Sequence, residues 1–361
     1  MSDAKKKSMI MPLQAIRAIA WLAVFLYHGI GPTMKFLGVW GVSIFFVLSG
    51  FVLVYSYWER PVEPTIKAAA EFSKNKILKL FPVHVIMLIL GLIREFLILK
   101  SYSIKRAIFK LALTVPLLET WHPTEFQALN SVDWYLSVTL FLYFVFPFLL
   151  HTIKKLMPGK NKVFIIVSFI YLIQILIGAF FNHFLHYFLP NVNIKWIVYC
   201  LPLYRLGDFT IGCLIGYLFT TMPDSISLWK KKNTSLAECI FVIFTILSWA
   251  MYYYSDKSME WFTYACLFLP FSVSLIAVFA KGQGIVSRLI TNRITLLFAG
   301  ISSYFFLIHR QILHYVGLGA KNLFHIKLET PLLLIIGFAL TLFMIALYRM
   351  LEKKLQKRNA L

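Results

Sequence analysis

Runs of roughly twenty apolar residues recur along the whole chain, and clusters of lysine and arginine stand between most of them. A helix of that length crosses the hydrocarbon layer of a bilayer. In lipid each backbone polar group must be satisfied within the segment, so such runs fold as helices. They lie at about 13–31, 37–57, 81–98, 134–153, 163–181, 196–219, 235–254, 260–280, 295–316 and 331–350. This predicts an all-α polytopic membrane protein of about ten transmembrane helices, with residues 1–361 as one transmembrane domain.

Composition excludes the soluble alternatives. Hydrophobic residues make up 60% of the chain and charged residues 14%, against about 45–50% and 25% in soluble domains. The net charge of +21 would point to nucleic acid in a soluble protein. Here the cations sit in the connections between apolar runs, as they do in cytoplasmic loops, and no nucleic-acid-binding module is present. The expected partner is the lipid bilayer, and nucleic acid is not expected.

Charge also orients the chain. Placing Lys5, Lys6 and Lys7 inside puts the basic connections on the same side: 58–80, Lys154 to Lys162, Lys230 to Lys232, Lys281 to Arg293, and Lys353 to Arg358. Both termini are then cytoplasmic. The run 107–118 is too short to span and contains Lys110 and Pro116, so it is expected to be interfacial or re-entrant. Residues 119–133 read as a polar and aromatic surface loop. The first run lacks a small-residue cleavage signature and is expected to be retained.

The first run, LQAIRAIAWLAVFLYHGIG, carries Arg17 and His28. Ionisable groups at membrane depth are expensive and usually functional. At about 100° per residue the two share one helix face, roughly 16 Å apart along the axis. An imidazole there can act as a general base near neutral pH, or simply hydrogen-bond between helices. Arg17 suits a phosphate, a carboxylate or a developing oxyanion; its alternative is a salt bridge to another helix.

Other candidates follow by position. Lys76 and Lys79 stand one helical turn apart before the third run, as an anion-binding patch or a topogenic cluster. Arg205 and Asp208, three apart in LPLYRLGDFTIGCLIG, share a helix face as a brace or as the lining of a path. The Gly212 and Gly216 step beside them favours close helix packing. Ser303, Tyr304 and His309 lie in GISSYFFLIHRQ, a site element or an interfacial belt. Asp133 and Trp134 open the fourth run, with Asp133 as a helix N-cap or a site acid. Four cysteines all fall in apolar segments, and no histidine spacing suits zinc, so no metal site and no disulfide framework are expected.

These segments resemble the membrane-bound acyltransferase 3 family. The arginine, ten residues and histidine of its first span match Arg17 and His28. Its glycine-led FFVLSGF span matches GVWGVSIFFVLSGF at 38–51. Its paired basic residues before an aromatic and a proline match Lys76 and Lys79 before Phe81 and Pro82, with lysine where arginine is usual. Its tryptophan-leucine-serine-valine stretch is similar to WYLSVTLFLYFVFP at 134–147, with Thr139 where a glutamate usually stands. Arg205, Phe209, Gly212 and Gly216, and then Ser303, Tyr304, Leu307 and His309, are similar to its later helices.

The resemblance implies a multi-pass, plasma-membrane enzyme of bacterial type. It implies transfer of an acyl group, usually acetyl, from cytoplasmic acyl-CoA to a hydroxyl of a surface or lipid-linked glycan. The coenzyme is a donor substrate, and no permanently bound cofactor is expected. His28 would be the catalytic base with Arg17 beside it, and Lys76 and Lys79 would hold the donor phosphates. A homo-oligomer or an envelope-biosynthesis partner is left open. The rival class is a transporter or flippase of a polar or lipid-linked envelope precursor, which intramembrane charge fits equally.

Overall fold

The computed structural model describes residues 8–99, 103–223 and 234–358. Lys5, Lys6, Lys7, Lys230, Lys231 and Lys232, part of the topological expectation, lie outside them. Among the described residues all regular structure is helical: α1 (Met11–Ile30), α2 (Lys35–Tyr57), α3 (Ile66–Ile77), α4 (Phe81–Leu99), α5 (Ile104–Thr114), α6 (Trp134–Leu156), α7 (Lys160–Phe188), α8 (Pro202–Thr221), α9 (Thr234–Tyr253), α10 (Glu260–Ala265), α11 (Leu269–Lys281), α12 (Ile285–Ile290), α13 (Arg293–Leu323) and α14 (Thr330–Arg358).

Among the described residues eight helical stretches are long and apolar enough to cross a membrane. A ninth arises if α3 and α4, bent by 64° at their junction, count as one broken span. The remaining expected run, 196–219, forms a π-helical turn (Trp196–Cys200) followed by α8. Arg205 and Asp208 dilute the apolar character of α8, which keeps it out of that set.

Local sequence explains where helices start. The Thr65 side chain accepts from the Ala68 amide at the head of α3, and Asn292 and Thr295 form a reciprocal capping box on α13. Pro82 falls in the first turn of α4, where its missing N–H costs nothing.

The bundle is built around α2. Over its most apolar window 83% of the residues are buried, against 17% in α7 and α14. The last two are therefore peripheral, and their exposed Ile165, Phe169, Ile335 and Phe343 form the kind of surface that lipid covers. α2 meets α8 backbone to backbone. A methyl at Gly212 would collide with the Val47 carbonyl, and one at Gly50 with the Phe209 carbonyl. The close approach expected of Gly212 and Gly216 is thus made against α2.

The segment between α5 and α6 differs from the expected surface loop. Glu119, Thr120, Asn130 and Asp133 are fully buried in it. Irregular backbone can lie inside a membrane protein where protein groups satisfy it. Here the Leu129 carbonyl accepts from Arg94 Nη2 at 2.9 Å and Gln311 Nε2 at 3.0 Å. Ser137 Oγ donates to the Leu117 carbonyl at 2.6 Å, and Trp196 Nε1 to that of Thr120 at 2.8 Å. Leu117 and Leu129 both adopt positive φ, 61° and 58°, as the chain turns back into the bundle. Two of the three cations of α5 are likewise paired, Lys110 to Glu95 at 3.0 Å and Arg106 to Glu125 at 3.6 Å.

Candidate functional site

Two polar regions sit at different heights along α1. The first is a cavity of about 310 Å³ beside the first half of the helix, walled by α1, α2, α3, α6 and α13. That size is at the lower end of ligand pockets. Arg17, Lys76, Ser49, Thr139, Tyr143 and Ser303 give it polar lining. Arg17 Nη2 donates to Ser303 Oγ at 2.6 Å. Among the described residues no carboxylate lies within ion-pair distance of Arg17 or Lys76. Thr139, at the position where a glutamate was the usual residue, turns its hydroxyl to the Tyr135 carbonyl at 2.7 Å. The cavity is thus net positive and suits an anionic or strongly polarised guest. Lys76 is exposed, its Nζ 4.8 Å from the centre of the Tyr57 ring.

The second region is a histidine pair near the other end of α1. His28 Nδ1 lies 2.8 Å from His309 Nε2 on α13. His309 Nδ1 lies 3.0 Å from the Phe305 carbonyl, which can only accept. In the neutral pair His309 therefore carries its proton on Nδ1 and accepts through Nε2, so His28 donates from Nδ1. His28 Nε2 keeps a free lone pair and has no hydrogen-bond partner among the described residues. A base oriented by a second residue is the arrangement that nucleophile activation requires.

An aromatic layer separates the two regions. Phe306 lines the cavity, and its ring centre is 6.0 Å from that of His309. Phe45 and Tyr135 pack on Phe306 at 5.9 and 5.1 Å and also face the cavity.

Cations surround the histidine pair. Arg310 Nη1 donates to the His28 carbonyl at 3.2 Å. Lys195 Nζ donates to Gln127 Oε1 at 3.1 Å and lies 5.9 Å from the centre of the Tyr264 ring. Lys35 caps the same ring at 4.2 Å and pairs with Glu260. Burial lowers the Lys195 ammonium below its usual range, and Lys35 and Arg310 push the same way.

The remaining expected residues fall elsewhere. Lys79 is exposed in the turn between α3 and α4 and does not line the cavity, because the helix that would put it one turn above Lys76 ends at Ile77. Asp133 stands at the head of α6, but its side chain does not cap the helix. It turns inward instead, to His84 Nδ1 at 2.8 Å and Asn130 Nδ2 at 2.7 Å. Trp134 is buried against Tyr199, ring centres 4.7 Å apart. Arg205 and Asp208 are a buried pair at 2.6 Å. Arg205 also donates to the Tyr199 and Tyr264 carbonyls, and Asp208 accepts from Gln174. That network braces the two tyrosines under Lys195. Tyr304 packs away from the cavity, 5.5 Å from Tyr348.

Sequence reasoning passed over His84, which is fully buried between Asp133 and the Thr114 carbonyl, 3.0 Å from its Nε2. An ionisable residue within the apolar run 81–98 was the available signal.

The family model for the acyltransferase domain of the acyltransferase 3 family matches residues 13–350. No curated protein and no solved structure matches the chain. The matched region takes in the cavity, the aromatic layer and the histidine pair together, and the chain belongs to the acyltransferase 3 family.

Proposed function

We propose that this membrane acyltransferase moves an acyl group, acetyl in the simplest case, from cytoplasmic acyl-CoA to a hydroxyl of a surface or lipid-linked glycan. The observation that carries this reading is the free Nε2 of His28, oriented by His309, beyond a cationic cavity. The donor nucleotide sits at the exposed Lys76, and the pantetheine arm runs through the cavity past Arg17. Arg17 lies roughly 16 Å along α1 from His28, too far to share one carbonyl with it, so its charge serves the donor. The thioester reaches His28 through the layer formed by Phe306, Phe45 and Tyr135.

His28 Nε2 takes the proton of the acceptor hydroxyl. The oxygen attacks the thioester carbonyl carbon, the new C–O bond forms, and the C–S bond breaks. The leaving thiolate takes the proton back from His28, so the base is regenerated. Ten crossings, counting α8 and the bent α3–α4 pair, with both termini cytoplasmic in a bacterial plasma membrane, complete the reading.

The test uses the protein in liposomes with radiolabelled acetyl-CoA and total envelope glycan. Label enters the glycan with the wild-type chain and falls to background with His28→Ala. Undiminished labelling by well-folded His28→Ala would overturn the assignment, and movement of a lipid-linked precursor without any labelling would favour the transporter class.

A further inference from the structure

The cations around the histidine pair outnumber the anions available to them. Arg310 has a carbonyl partner, and its Nε is buried without any. Lys195 has an amide oxygen and two tyrosine faces. Both act electrostatically on His28, and they act on each other. Among the described residues the carboxylates nearby are shared, engaged elsewhere or held as poor counter-ions. Glu260 pairs with Lys35 and also acts on Lys195, so one carboxylate is shared between two ammonium groups. Asp133 is engaged by His84 and Asn130. Glu119 is fully buried with neither carboxyl oxygen hydrogen-bonded, and burial holds its carboxyl well above the usual carboxylate range, which makes it a poor counter-ion. Holding half-buried like charges together with fewer counter-ions than charges is unfavourable. It persists where a ligand supplies the missing charge.

We infer that the acceptor is anionic, and that Lys195 and Arg310 hold its phosphate or carboxylate while its hydroxyl meets His28 Nε2. The inference rests on the acyl-transfer reading for the identity of the ligand as acceptor. The anion site itself does not depend on that reading. Tyr199 and Tyr264 support Lys195 from below, and Arg205 fixes both of their carbonyls. The Lys195 ammonium is thus held in place before the ligand arrives. The Arg310 bond to the His28 backbone sets the anion's distance from the base.

Three acceptors separate the sources of charge: polyglycerol phosphate, hyaluronan and neutral dextran. With radiolabelled acetyl-CoA and the full chain in liposomes, polyglycerol phosphate is labelled in preference to dextran. Label in hyaluronan as well assigns the site to charge in general, and its absence assigns the site to phosphate. Lys195→Gln raises KM for the anionic acceptor by about tenfold while kcat stays within about twofold. The difference shrinks in high salt. Arg310→Lys keeps most of the preference, and Arg310→Gln loses it.

A titration of polyglycerol phosphate without donor reads binding apart from chemistry. Loss of that binding in Lys195→Gln supports the anion site even if no acceptor is ever labelled, in which case the acyl-transfer reading falls alone. Equal labelling of dextran and polyglycerol phosphate, with no effect of Lys195→Gln on either, overturns the inference and leaves acyl transfer intact.

Discussion

His28 and His309 share a 2.8 Å hydrogen bond although 281 positions separate them in the chain. The bond ties the end of α1 to α13 and decides which nitrogen of His28 can act as a base. His309 is a positioning residue in this scheme. His309→Ala should lower kcat by about 10²-fold or more, within the range of general-base effects. His309→Gln can present its amide oxygen to His28 Nδ1–H and should retain more of the rate. A pH–rate profile that shifts in His309→Ala but not in Ser302→Ala would separate positioning from a general loss of structure.

Arg17 faces the cavity with a hydroxyl as its side-chain partner. Arg17→Gln should raise KM for acyl-CoA by about tenfold to a hundredfold, as expected for the loss of a charge-assisted contact. Ser303→Ala frees the guanidinium without removing it, so its effect should stay below about fivefold. Steady-state kinetics with the donor varied at saturating acceptor measures both.

The contact of α2 with α8 has no room for a side chain at Gly212. Gly212→Val should cost about 3 kcal/mol or more, since the obstacle is the Val47 backbone and overpacking strain cannot be relieved by a rotamer change. Thermal unfolding in detergent, followed by light scattering, should show early aggregation. Gly300→Ala, where a methyl meets nothing within 4 Å, is the control and should unfold as the wild type does.

Glu119 lies between spans, and burial raises its carboxyl well above 4.5. Its folded form favours the proton. Below pH 4.5 both folded and unfolded carboxyls are protonated, and the group contributes no penalty. As pH rises past 4.5 the unfolded chain releases the proton while the folded chain keeps it, so stability falls with pH up to the raised value. Glu119→Gln removes this slope. It should raise the unfolding temperature at pH 7.5 by roughly 2–4 °C, the shift that about 1 kcal/mol gives in a large domain, and change it little at pH 4.5. Equal shifts at both pH values would rule out the titration.

Much of the frame was legible because apolar length is a local property. The runs over 13–31, 37–57 and 134–153 became α1, α2 and α6 with nearly the same limits. The common face of Arg17 and His28 followed from helical rotation alone. What could not be read depends on chain breaks and distant partners. Lys79 was placed one turn above Lys76, but the helix stops at Ile77 and the chain bends by 64°. Asp133 read as a cap because caps are local, while its actual partner His84 lies 49 positions away. His309 was singled out by its own segment, yet its bond to His28 joins opposite ends of the sequence. The loop at 119–133 looked exposed because it is polar. Its backbone carbonyls at Thr120 and Leu129 are instead taken up by Trp196, Arg94 and Gln311.

The aromatic layer of Phe306, Phe45 and Tyr135 has an electrical consequence. With the cavity open to the cytoplasm and the cationic cluster open to the outside, as the proposed reaction requires, much of the voltage drop would fall across these rings. Moving one elementary charge through such a drop takes about 2.3 kcal/mol per 100 mV. In the proposed reaction the coenzyme phosphates stay below the rings and only the uncharged thioester end of the pantetheine arm passes them. Transfer then does no work against the field, and the rings keep the membrane an insulator while it proceeds.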